Sequence, residues 1–103
     1  MREASQELED YTELCHQKAR EAGFDGPSAF RGMRTRYGTV EASEKLVLSD
    51  KFQSGLTWAM EKGLLDYTVE AAVLKFPRDF AYNPHIAVYA KFRINLAKAG
   101  VKL

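Results

Sequence analysis

Arg31, Arg34 and Arg36 are the residues of this 103-residue chain whose type and spacing most readily suggest chemistry. Three guanidinium groups within two helical turns could follow a phosphate backbone, with Lys45 and Lys51 added later and Tyr37 or Phe30 stacking on a base. A helix, a glycine-containing turn and a second helix over residues 28–47 even imitate helix-turn-helix spacing. The second helix, however, would turn Glu41 and Glu44 toward a polyanion. The simpler reading is a solvated basic face that answers an acidic first helix.

Carboxylates form the next candidate set. Asp66 and Glu70 lie four residues apart, with Glu61 shortly before them, a set that could bind a cation or exchange a proton. Asp66 and Thr68 read more simply as helix starts, and neither completes a capping box, since the matching third positions are Val69 and Ala71. His16 and His85 are far apart, and the Cys15 and His16 side chains diverge on a helix, so the four convergent ligands of structural zinc are missing. No nucleophile, base and orienting group can be assembled from local spacing. The expectation is a protein that is not an enzyme and uses no metal or cofactor.

Composition sets the frame for the elements that carry these residues. With 46% hydrophobic and 28% charged residues the chain falls in the ordinary globular range, outside the disordered class. The longest uncharged run, residues 80–90, is 11 residues and includes Asn83, Pro84 and His85, so no membrane partner is expected. The first ten residues lack an apolar core of the secretory kind, which makes a cytoplasmic setting the expectation. One cysteine, Cys15, excludes an internal disulfide and reads as a small hydrophobe on a buried stripe. Residues 1–25 carry seven acids against three bases, and residues 26–103 seven acids against twelve bases. That asymmetry favours docking of an acidic first helix on a basic remainder. A pI near 7.8 lies below the range typical of dedicated nucleic-acid binders.

Periodicity then divides the chain. Leu8, Tyr11, Cys15, Ala19 and Ala22 recur at intervals of three and four, which predicts a first helix over residues 3–22, stopped by Gly23. Turn residues at 24–27 precede a second helix that starts at Pro27 or Ser28 and carries Phe30, Met33 and Tyr37 on one face. Gly38 ends it and Thr39 caps a third helix, with Val40, Ala42, Leu46 and Val47 inward and Glu41, Ser43, Glu44 and Lys45 wet. Ser54 caps a fourth helix bearing Leu56, Trp58, Ala59 and Met60, stopped by Gly63. Asp66 or Thr68 opens a fifth, with Val69, Ala72, Val73 and Phe76 inward. Asn83 and Pro84 start the last helix, which runs to about Ala99, is apolar over more than half its circumference and should be the central or best covered one. No strand-like alternation occurs, so the expected fold is all-α, a compact bundle of five to six short helices forming one domain over residues 1–103.

Several of these stretches carry a family resemblance: Phe30 and Met33; Gly38-Thr39-Val40-Glu41-Ala42 with Leu46; Ser54-Gly55-Leu56-Thr57-Trp58; and Gly63-Leu64-Leu65-Asp66-Tyr67-Thr68-Val69-Glu70 with Val73-Leu74. Together they resemble a small helical module of unknown function in uncharacterised bacterial and phage proteins, sometimes attached to nuclease-like domains. The likeness covers residues 28–76 and the helical tail. The tail departs from it, being apolar where the module is charged and arginine-rich, which raises the weight of a partner surface there. The resemblance and the lack of chemistry together imply a protein-interaction or accessory module that self-associates through its last helix or binds another protein. The residues assigned to that contact are Phe52, Trp58, Ile86, Tyr89 and Phe92. The alternative is a nucleic-acid-binding domain acting through Arg31, Arg34 and Arg36.

Overall fold

The first helix begins after Ser5, not at Glu3, in the computed structural model, which describes residues 3–23, 28–49 and 54–100. The Ser5 hydroxyl accepts the Leu8 amide at 3.2 Å, a serine N-cap. The same residue reaches across 74 positions of sequence: its amide and hydroxyl donate to the two Asp79 carboxylate oxygens at 2.7 and 2.9 Å. One residue thus starts a helix and ties the N-terminal segment to the far end of the fold.

Six α-helices follow in order among the described residues: α1 (Gln6–Glu21), α2 (Ser28–Tyr37), α3 (Thr39–Val47), α4 (Ser54–Glu61), α5 (Val69–Lys75) and α6 (His85–Lys98), with a 3-10 turn at Leu65–Tyr67 before α5. The described residues include no strand. The α3, α5 and α6 helices pack on one another at the centre, α1 covers α5 and the 3-10 turn, α2 lies on α3, and α4 bridges α6 and the 3-10 turn. Leu8, Val40, Val47, Ala72, Val73, Phe80, Ile86 and Ala90 form the buried core where these elements meet, with Ala4, Tyr11, Val69 and Phe76 packed around it. A radius of gyration of 12.5 Å is that of a compact chain of this length.

Helix ends follow local chemistry. The Thr68 hydroxyl accepts the Ala71 amide at 3.2 Å and caps α5. Gly63, at φ +72°, closes α4: the Gly63 amide donates to the Met60 carbonyl and the Leu64 amide to the Ala59 carbonyl, a Schellman pair that requires a left-handed residue. Gly38, at φ +84°, turns the chain between α2 and α3.

Two expected caps work differently. Thr39 is the first residue of α3, and its hydroxyl donates to Glu9 and accepts the Arg34 Nε at 3.0 Å. Asn83 holds the start of α6 through its carbonyl, which accepts the Ile86 amide, while its side chain donates to Glu44 Oε2 at 2.9 Å. In both, the side chain is engaged by distant charged groups and makes no capping bond to the first helical amides.

The buried stripes also differ from the apolar periodicity. On α1 the buried residues are Leu8, Thr12, Cys15 and His16, while Ala22 is exposed. On α3, Ser43 and Glu44 are buried where they were expected to be wet. The Ser43 hydroxyl donates to the Thr39 carbonyl, and Glu44 accepts from Asn83, so each polar group is satisfied inside. Of the apolar residues that α4 bears, Leu56 and Ala59 are buried and Met60 is exposed. The turn at 24–27 and the side chain of Ser54 lie outside the described residues.

Candidate functional site

Residues of α6 divide between two faces at helical spacing. Ile86, Ala90, Arg93, Ile94 and Ala97 face the core. Opposite them, Val88 is 70%, Tyr89 50% and Phe92 59% exposed, and Leu96 continues the strip half-buried. The helix is therefore not the best covered one. It carries its apolar residues all round because one half builds the core and the other stands on the surface. The His85 ring meets Tyr89 edge-on at 6.2 Å, and Tyr82, just before the helix, is 83% exposed.

Of the five residues assigned to a partner contact, only Tyr89 and Phe92 are together on this outward strip. Ile86 is fully buried in the core, which corrects its assignment: it lies on the opposite face from Val88 and Phe92. Trp58 is half-buried on α4, and Phe52 lies outside the described residues. Val88, the most exposed apolar residue of α6, is absent from that assignment. Its position one turn from Phe92 is the sequence signal that could have found it.

The inner face of α6 holds an ion pair. Arg93 Nε donates to Glu70 Oε2 at 3.0 Å, with both side chains nearly inaccessible to water. Arg93 Nη1 also donates to the carbonyls of Val47 and Ser49 at 3.2 and 3.1 Å, just where α3 ends. One guanidinium group thus joins α5, α6 and the end of α3. Burial pushes the Glu70 carboxyl up from its usual range, and the adjacent Arg93 charge pulls against that. Glu70, a member of the candidate acid cluster, is consumed by this structural pair, while Asp66 is exposed and uses its carbonyl to accept the Tyr11 hydroxyl. Among the described residues no group of three or more His, Cys, Asp or Glu side chains could hold a metal ion.

The arginines of α2 are not a common cationic face. Arg34 donates to Glu13 at 2.7 Å and Glu9 at 3.2 Å, and with Thr39 it ties α1 to the α2–α3 corner. The Arg34 guanidinium in turn holds the Glu13 carboxyl below its ordinary value. Arg36 lies against the Tyr37 ring, as does Lys45 at 4.7 Å from the centroid. Arg31 is half-buried. The middle cation of the expected phosphate-tracking set is therefore neutralised by the acidic first helix.

A buried pair of side chains sits under α2. His16 is 4% exposed, packs against Phe30 at 5.8 Å between centroids, and its Nε2 has no hydrogen-bond partner. Burial, then the nearby Arg34 charge, lower its pKa to about 4. Cys15 beside it is buried, and burial pushes its thiol up to about 12. Both are neutral core groups, not poised reactants.

No protein-family model matches this chain, no curated protein matches it, and no solved structure matches it. No helix among the described residues is long and apolar enough to cross a membrane.

Proposed function

We propose that this protein is a non-catalytic helical interaction module, of the bacterial and phage kind that its sequence resembles, and that it docks another protein through the outward face of α6. The observation that carries the reading is the exposed strip of Val88, Tyr89 and Phe92 on a helix whose inner face is anchored in the core. Large apolar side chains grouped on a surface mark interaction sites, and aromatic residues dominate interface energetics. The candidate chemistry argues the same way: Glu70 is spent on Arg93, His16 and Cys15 are buried and neutral, and Arg34 is spent on Glu9 and Glu13. That last engagement removes the central cation from the nucleic-acid alternative. A cytoplasmic setting suits the single unpaired thiol.

Site-specific photocrosslinking in the native host tests the reading. A photoreactive residue at position 88 should yield a discrete protein adduct that disappears on Phe92→Asp, whereas one at exposed position 10 on α1 should not. Identical adducts at both positions, or none at position 88, would retire the α6 surface.

A further inference from the structure

The charges around the α6 strip identify its partner more closely, an inference that rests on the reading above. Helix α6 contains no aspartate or glutamate along its whole length. Lys91 and Lys98 are both exposed and, seven residues apart, line the same edge of the strip beside Val88. Over residues 71–100 there are five bases and a single acid, Asp79, whose two carboxylate oxygens are taken by Ser5. Among the described residues, ion pairs engage Arg34 and Arg93, not Lys91 or Lys98. Within α6 itself, the strip is thus an apolar ridge with one cationic edge and no anionic one.

A second copy of the chain fits this surface poorly. An antiparallel two-fold pairing of α6 helices keeps the Lys91–Lys98 edges of both copies on the same side, lysine against lysine. A parallel pairing sets each lysine edge against an edge that has no acid. The acids of α1, including exposed Glu7, Asp10 and Glu13, could supply charge, but the one large apolar residue exposed on that helix is Leu14, at 36%.

We infer that the α6 strip receives an amphipathic helix of a different protein, with apolar residues at three- and four-residue spacing over Val88, Tyr89 and Phe92 and a row of carboxylates along the edge that meets Lys91 and Lys98. The apolar ridge supplies most of the affinity, and the lysine edge fixes the partner's direction and rejects basic helices.

Two synthetic helical peptides test this on the intact protein by fluorescence anisotropy. They share one leucine stripe, and one carries glutamates and the other lysines along a single flank. The glutamate peptide is expected to bind at least about tenfold more tightly, and the gap should shrink with added salt. Lys91→Glu with Lys98→Glu should reverse the preference, and Phe92→Asp should abolish binding of both, while circular dichroism shows the fold unchanged. Equal binding of the two peptides, or binding of neither, overturns the inference. So does a dimer in sedimentation that Phe92→Asp dissolves, or a preference for vesicles of mixed phosphatidylcholine and phosphatidylglycerol over the glutamate peptide. A dimer of that kind would still leave α6 as the interaction surface, whereas loss of the crosslinked adduct at position 88 removes the surface itself.

Discussion

His16 shows what a buried titratable side chain does to this fold. Its folded pKa, about 4, lies below the unfolded value near 6.5, so the unfolded chain binds the extra proton first as pH falls. Stability from this group is complete above about pH 6.5 and declines through the interval down to about 4, by up to roughly 1.4 kcal/mol per pH unit. Thermal melts between pH 7 and 5, above the range where most carboxylates titrate, should fall for the parent protein and flatten for His16→Gln. The Glu70–Arg93 pair makes a second residue-scale prediction. Arg93→Met strands a buried carboxylate and leaves the Val47 and Ser49 carbonyls without that donor, at a cost of about 3–5 kcal/mol. Glu70→Leu with Arg93→Met should recover much of that loss in urea titrations, since the stranded charge is then gone. Arg34→Met should cost less, about 1–2 kcal/mol, and the cost should drop at high salt because Glu13 is largely exposed. None of these pairings is legible from spacing alone. Glu70 and Arg93 are 23 positions apart and Glu9 and Arg34 are 25, and only the packing of helices brings them together.

At the scale of the element, local signals carried furthest. Thr68 was readable as a cap because its hydroxyl needs only the amide three residues on, and Thr68→Ala should lower stability by about 1 kcal/mol in a denaturant titration, with α5 losing amide protection first. Gly63 was readable as a stop for the same local reason. Asn83 and Thr39 were not readable as they stand, because each gives its side chain to a distant glutamate. The α6 helix shows the limit of hydrophobic periodicity. An apolar circumference indicates a covered helix only when some neighbour is present to cover it, and α3, α4 and α5 cover one side. The composition gave the number of apolar residues. The division of that total between core and surface came from tertiary packing.

Across the whole molecule, the all-helical bundle followed from the three- and four-residue spacing of apolar positions, and the central place of α3, α5 and α6 did not. The charge asymmetry between the first 25 residues and the remainder did anticipate a contact, and Arg34 with Glu9 and Glu13 is its physical form. Because the outward strip of α6 lies apart from the core, Phe92→Asp should leave the melting temperature within about a degree or two while removing partner binding, a separation that calorimetry and binding assays can read on the same sample. The single cysteine has a consequence of its own. Cys15 is buried, and its thiol is held almost wholly protonated at neutral pH, so its reaction with an alkylating reagent should proceed chiefly when α1 lifts away. The chain therefore carries a built-in clock, one sulfur whose labelling rate measures how often the first helix leaves its seat.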